Sequence, residues 1–197
     1  MGHADAEQVE FTTRDGWRAW LTERHDTSTG AWVVYFKKSA REPGPTYEDL
    51  IEEALCFGWI DGTARSVDER RTSLYFCPRK KGSGWAATNK ARVERLTAGG
   101  RMAPAGLAAI QRAKADGSWT ILDRSESLTV PGELASAFAR HPGSREAFDA
   151  FPPSTRKQLI SWVDSAKRPA TTQRRTEEIA RLAQQGIPAN RQAPTVT

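Results

Sequence analysis

Nine basic side chains are concentrated in residues 65–95, where only three acids accompany them, so this segment has a net charge of +6. The whole chain has a net charge of +5, and the positive excess therefore belongs to this one segment. Aromatic residues are interleaved with the basic ones. A concentrated positive field beside planar rings suits phosphate, carboxylate or nucleic-acid ligands.

The sequence predicts an anion site on two strands, the turn between them and the start of the following helix. The candidate ligand-binding residues are Arg65, Arg70, Arg71, Arg79, Lys80, Lys81, Trp85, Asn89 and Lys90. Arg92 and Arg95 complete the basic segment. Trp85 is the candidate for stacking on a base. The alternative interpretation is a solvated sheet face whose charges oppose edge-to-edge aggregation.

Asp61, in the segment GWIDG, is the candidate for acid–base chemistry. A carboxylate between Gly58 and Gly62, where a strand begins after a helix, could act as a general base or bind a substrate hydroxyl. The structural interpretation is that Asp61 accepts hydrogen bonds from the backbone or from an arginine such as Arg65. No second catalytic group is fixed by spacing, so catalytic residues stay unknown and the structural interpretation is favoured.

The remaining chemistry-bearing residues indicate neither a metal site nor a cofactor. Cys56 and Cys77 lie among apolar neighbours, which favours buried free thiols over a nucleophile. The three histidines, His3, His25 and His141, have no partner at ligand spacing. The chain contains no phosphate-binding loop, dinucleotide fingerprint, nucleophile elbow or HExxH motif.

The composition fits a soluble globular protein that can bury a real core, with 197 residues, 38% hydrophobic and 27% charged. The longest apolar run, Ala31–Phe36, is far too short to span a membrane. The first residues lack the basic and apolar regions of a secretory signal. We therefore expect a cytoplasmic location.

The apolar spacing predicts the elements that position these residues. In the first part it predicts helices over 16–25, 47–57, 89–98 and 105–116, and strands over 31–37, 59–67 and 72–78. The last two strands form an antiparallel hairpin that pairs with the first. Asp15 and Thr46 are the expected helix caps, and Gly58 the expected helix end. Glu48, Glu52 and Glu53 are expected to face outward.

The second part is predicted to be helical over 132–140, 144–150, 154–166 and 171–185. The fold class is thus α+β, a small antiparallel sheet packed by helices and followed by a helical C-terminal subdomain. The predicted boundaries are 9–117 for the α+β region, 118–131 for a linker, 132–188 for the helical domain and 189–197 for a mobile tail. A second anion-binding edge could be formed by Lys167, Arg168, Arg174 and Arg175. The favoured alternative is that Lys167 and Arg168 complement a helix C-terminus while Arg174 and Arg175 lie on a solvent-exposed helix face.

Five motifs resemble the YdeI/OmpD-associated (bacteriocin-protection) family over roughly residues 15–187. They are EEALCFGWIDG, SVDERR, FCPRKKGSGWAATNKARVERL, GRMAPAGLAAI and SAKRPATTQRRTEEIARL. The resemblance implies that the helical block near residues 131–188 is the family's C-terminal domain. It also implies protection against bacteriocins or cationic peptides, association with an outer-membrane porin and a periplasmic setting, but no catalytic residues.

The short apolar runs predict no membrane span. Without a secretory signal, we expect no porin contact. The positive segment would repel cationic peptides, so any protection is expected to be indirect. The leading hypothesis is a non-enzymatic cytoplasmic binding protein of stress or antimicrobial-resistance type. Its ligand is anionic, and nucleic acid is the first ligand to test. The competing hypotheses are an enzyme with Asp61 as acid–base and arginine clamps, and a module that binds an acidic protein partner.

Overall fold

The structure, a computed structural model, describes residues 6–189 and divides into two compact units. Unit 1 ends at Trp119 and unit 2 begins at Thr120. Unit 1 combines a sheet with helices and unit 2 is helical, so the predicted α+β class is confirmed. Of the predicted tail 189–197, residues 190–197 lie outside the described residues.

Unit 1 contains strands β1 (Glu7–Glu10), β2 (Ala31–Phe36), β3 (Trp59–Ser66) and β4 (Arg71–Pro78), ordered β1-β2-β4-β3 in one sheet. The β3–β4 hairpin and the β2–β4 pairing are antiparallel, as predicted. β1 adds a parallel edge strand beside β2, so the sheet is mixed rather than purely antiparallel. The sequence carries no strand signal there because Val9 is the single apolar residue of β1.

The helices of unit 1 are α1 (Arg14–Arg24), α2 (Tyr47–Cys56), α3 (Ala87–Ala98) and α4 (Pro104–Ala115). Thr46 and Asp49 form the predicted capping box at the start of α2. The expected cap of α1 is wrong, because Thr13 and not Asp15 accepts a hydrogen bond from the Gly16 N–H. Gly58 ends the α2 segment with a φ of +74°, a backbone conformation that favours glycine.

The core of unit 1 lies between the sheet and its helices and is rich in tryptophan. Trp17 and Phe76 are fully buried, with ring centroids 5.4 Å apart. The indole N–H of Trp17 donates to the Leu50 carbonyl at 3.1 Å, which satisfies the polar atom of a buried ring. α4 approaches the end of α2 closely, since a Cβ at Gly106 would lie 2.7 Å from the Cys56 carbonyl carbon.

Unit 2 contains α5 (Asp123–Glu126), α6 (Gly132–Arg140), α7 (Ser144–Asp149), α8 (Pro153–Asp164) and α9 (Pro169–Ala183). The short helix α5 falls in a segment where the sequence shows little periodicity. Prolines begin α8 and α9, a position where the missing N–H costs no hydrogen bond. The core is formed by fully buried side chains, among them Leu134, Phe148, Leu159, Ile160 and Ile179. No helix within residues 6–189 is long and apolar enough to cross a membrane.

Candidate functional site

Four arginines of the basic segment form salt bridges with glutamates from other parts of unit 1, and one of them also pairs with Asp68 inside the segment. Arg92 binds Glu48 at 2.6 Å, and Arg95 binds both Glu48 and Glu52. Arg71 binds Asp68 at 2.8 Å and Glu10 at 3.3 Å, and Arg70 pairs with Glu42. These pairs neutralise much of the charge that the sequence concentrates in residues 65–95.

The Arg65 side chain of β3 reaches across β4 to a tryptophan of β2. Its guanidinium carbon is 3.9 Å from the centroid of the Trp32 ring, a distance typical of cation–π contacts. Its nitrogens donate to the Ser73 hydroxyl at 3.1 Å and to the Gln8 amide oxygen at 2.9 Å. Arg65 is therefore engaged with the sheet and does not pair with Asp61.

Arg79 is the most enclosed cation of the predicted site. Its guanidinium stacks on Trp85 at 3.8 Å, and Nη1 donates to the Gly84 carbonyl at 3.1 Å. Nε and Nη2 are closed off from solvent and have no hydrogen-bond partner in the described part of the chain. Burial lowers the pKa of Arg79 to about 10, against the opposing charges of Asp61 and Cys77. The side chain is still cationic at neutral pH.

The loop that follows β4 carries further cations without a carboxylate partner. Lys80 and Lys81 are exposed and, with Arg79 and Arg112 of α4, line one small depression between the loop and α4. None of the four forms a salt bridge within residues 6–189, although the charge of Lys81 contributes, after the hydrogen bonds from Ser118 and the Gly82 N–H, to a lowered pKa of Asp116. The one carboxylate in the lining is Asp116, which accepts hydrogen bonds from Ser118 and from the Gly82 N–H. We call this group of four cations the loop cluster.

The Trp85 ring is buried, whereas the sequence predicts that it is exposed for stacking. It is 1% exposed, covered by Arg79 and 5.0 Å from the Trp119 ring centroid, so its face is closed to an incoming base. Lys90 lies 5.4 Å from the Trp119 ring, and Asn89 accepts a hydrogen bond from Arg92. The sequence-predicted residues thus divide into the loop cluster and a larger set engaged in packing or ion pairs.

Asp61 lies near the start of β3, where the pairing with β4 shifts register before Ala64. Its charge, after burial, raises the pKa of Tyr47, while Arg92 opposes the shift. Burial lowers the pKa of Arg79 and the charge of Asp61 opposes that shift, whereas Glu48 is the main cause of the raised pKa of Arg92 and Asp61 adds to it. The charge of Asp61 therefore acts on a tyrosine and two arginines, which fits a structural carboxylate.

A buried carboxylate on α2 is the polar feature that sequence reasoning placed wrongly. Glu53 is fully buried, contrary to the expectation that it faces outward, and Glu52 is nearly so. Arg14, Arg18 and Arg101 donate to Glu53 at 2.6, 2.5 and 2.6 Å. We call these four residues the Glu53 network.

The electrostatics of the Glu53 network favour the ionised acid. Burial alone would raise the pKa of Glu53, but hydrogen bonds from Arg18, Arg14 and Arg101 outweigh it and hold the pKa below its ordinary value. A signal for this burial exists in the sequence, since Glu53 lies three residues after Leu50 and four before Phe57, on the apolar stripe.

Neither cysteine is poised for nucleophilic chemistry. Cys56 is buried and Cys77 is half-buried, and both are free thiols. Burial is the largest influence on each, and it raises the pKa of both thiols. Thiolate formation is thereby opposed, in line with the structural interpretation. Within residues 6–189 no three His, Cys, Asp or Glu side chains are grouped as metal ligands.

The basic residues of the second predicted edge are separated in unit 2. Arg175 donates to the Ser165 hydroxyl at 2.8 Å and to the Trp162 carbonyl, and stacks on the Trp162 ring at 5.1 Å. Lys167 and Arg168 line a groove of about 520 Å³ beside α6 and the start of α9. Arg174 does not line this groove.

Fold and site together define a two-unit α+β protein with a network of arginine–carboxylate pairs and one unpaired basic loop in its first unit. Residues 9–109, just over half of the chain, match the model of a family described as a domain of unknown function, DUF8412. The chain therefore belongs to the DUF8412 family.

The second unit matches a different family. Residues 127–186 match the family described as Bacteriocin-protection, YdeI or OmpD-Associated, which confirms the resemblance for this segment. The motifs of the first unit fall in or beside the region that matches DUF8412. No curated protein and no solved structure matches the chain.

Proposed function

We propose that the protein is a non-enzymatic binding protein of bacteriocin-protection or stress type whose anionic ligand docks at the loop cluster. The observation that carries the proposal is the convergence of four cations without a carboxylate partner, within residues 6–189, on one depression that contains a single acid. Of the predicted ligand residues, the proposal keeps Arg79, Lys80 and Lys81, and it adds Arg112 of α4, which the sequence did not single out.

The distribution of charge supports this narrower site. Arg70, Arg71, Arg92 and Arg95 already have carboxylate partners, so a ligand phosphate there would have to displace an existing ion pair. At the loop cluster an anion would neutralise unpaired charge instead. An exposed lysine must give up hydration to contact a phosphate, so the direct contact contributes little affinity. Binding a nucleic acid also releases condensed counterions, and that release raises the affinity.

Nucleic acid is the ligand that we propose first. Lys80, Lys81 and Arg112 together provide up to three phosphate contacts, and Trp85, the aromatic residue among the described lining of the depression, is covered and cannot stack on a base. Such a site would bind with little sequence preference and with strong dependence on salt. The match of residues 127–186 to the bacteriocin-protection family supports the protective role. The cytoplasmic location stays part of the proposal.

The test is binding of a fluorescein-labelled single-stranded oligonucleotide, followed by fluorescence anisotropy between 50 and 200 mM salt. Three phosphate contacts predict a slope of about −2 in a plot of log K against log salt. The double variant Lys80→Gln/Lys81→Gln should reduce that slope to about −0.7 and weaken binding at low salt. Arg79 is left unchanged because its packing on Trp85 makes any substitution a test of stability as well.

The matched control is Lys38→Gln/Arg41→Gln, which removes the same charge from two exposed residues elsewhere in unit 1 that form no salt bridge in the described part of the chain. It should leave the slope near −2, because those residues lie outside the loop cluster. Equal weakening by both double variants would mean that net charge alone drives binding. Unchanged binding in Lys80→Gln/Lys81→Gln would exclude the loop cluster as the site.

A further inference from the structure

The groove beside α6 in unit 2 has unpaired charges of opposite sign on its walls. It has a volume of about 520 Å³ and is lined by Glu133 and Ser136 of α6 and by Lys167, Arg168, Thr172 and Gln173 around the start of α9. This volume lies within the range of sites that hold small molecules. Unlike the loop cluster, the groove therefore presents both a negative and a positive wall.

The charges on these walls do not satisfy one another. Glu133, Lys167 and Arg168 form no ion pair and no side-chain hydrogen bond within residues 6–189, although all three line the same groove. Opposite charges that share a groove without meeting leave both signs available to a third molecule. Burial raises the pKa of Asp164, Arg124 opposes that rise, and the negative charge of Glu133 makes a smaller contribution that adds to it.

The rest of the groove is fixed in place by contacts that do not use these charges. Arg140 donates to the Ser136 carbonyl at 3.0 Å and to Glu177 at 2.8 Å, and Glu177 also contacts His141 at 2.6 Å. α6 and α9 are therefore tied together along the groove. Thr176, which is 1% exposed, forms part of its floor. The walls are thus held by packed helices, a requirement for a site that selects its ligand by charge spacing.

We propose that this groove binds a small zwitterion of the amino-acid or short-peptide kind, with its ammonium group at Glu133 and its carboxylate at Lys167 and Arg168. Ser136, Thr172 and Gln173 offer hydrogen bonds to the backbone groups between the two ends. The site is separate from the loop cluster and does not depend on the function proposed for it.

The test is isothermal titration calorimetry of the full-length protein with L-alanine, Ala-Ala and Ala-Ala-Ala. These probes keep the two charges and vary the spacing between them, so they distinguish a free amino acid from a peptide. Each is compared with its N-acetyl form, which lacks the ammonium, and its C-terminal amide, which lacks the carboxylate. At least one zwitterion should bind, and each modification should weaken that binding tenfold or more.

The variants assign each charge to its wall. Glu133→Gln should remove the preference for the free amine over the N-acetyl form, and Lys167→Gln/Arg168→Gln should remove the preference for the carboxylate over the amide. Arg181→Gln, an exposed residue in the last turn of α9, should change neither preference. The proposal is overturned if no zwitterion binds at millimolar concentration, if the modified probes bind as well as their parents, or if the wall variants keep both preferences.

Discussion

Replacement of Glu53 by glutamine is expected to destabilise unit 1 strongly. The amide has nearly the same shape, so no cavity forms, but three arginine charges lose their common partner. Removing one member of a buried ion pair costs about 3–5 kcal/mol. The side chains of Arg14, Arg18 and Arg101 are 28%, 30% and 41% exposed, so water can recover part of that loss. We expect a decrease of about 2–4 kcal/mol in the free energy of unfolding at pH 7.

Urea unfolding followed by tryptophan fluorescence measures this change in the free energy of unfolding of unit 1. Of the seven tryptophans, only Trp162 belongs to unit 2, so the signal reports mainly on unit 1. Glu48→Gln is the matched control, because Glu48 lies on the same helix and also binds two arginines but has a side chain that is 47% exposed. An ion pair of that exposure contributes about 0–1 kcal/mol.

The pH dependence provides a second check on the same residue. The arginines hold the pKa of Glu53 below its ordinary value of 4.5. Its contribution to stability is therefore complete above the unfolded-state pKa and is lost as the pH falls through the folded-state pKa. The difference between wild type and Glu53→Gln should shrink below about pH 4. A loss of less than about 1 kcal/mol at pH 7, or one equal to that of Glu48→Gln, would refute the reasoning.

Three further outcomes follow from the contacts of α2. Gly106→Ala should lower the thermal midpoint, at a cost of about 1–3 kcal/mol, because its Cβ would press on the Cys56 carbonyl; an unchanged midpoint would mean that the helices separate freely. Thr46→Ala should cost about 1 kcal/mol in urea unfolding through loss of the capping box with Asp49, and a neutral result would deny the cap any contribution. Cys56 should resist a thiol reagent at pH 7 until urea unfolds the chain, since burial raises its pKa; rapid labelling of the folded protein would contradict the buried thiol.

The β3–β4 hairpin and helix α2 could be predicted from the sequence because the signals for them are local. The capping box of Thr46 and Asp49, the glycine end at Gly58 and the run of strand-forming residues in β4 each depend on neighbours a few positions away. Strand β1 could not be predicted, because its pairing with β2 depends on residues more than twenty positions later in the chain. A strand with one apolar residue also shows no hydrophobic periodicity.

The sequence by itself determined that positive charge is concentrated in residues 65–95, since net charge is a property of composition. Only the tertiary structure decided which of those charges remain available. Arg92 meets Glu48 across 44 residues of chain and Arg95 meets Glu52 across 43, so neither pairing can be read from spacing. The fold likewise turned Trp85 from a predicted stacking face into a buried support for Arg79. Long-range packing sets these partners. Within residues 65–95 it leaves Arg79, Lys80 and Lys81 without a salt bridge among the described residues, and Arg112 of α4 joins them at the loop cluster, where an anion would find available charge.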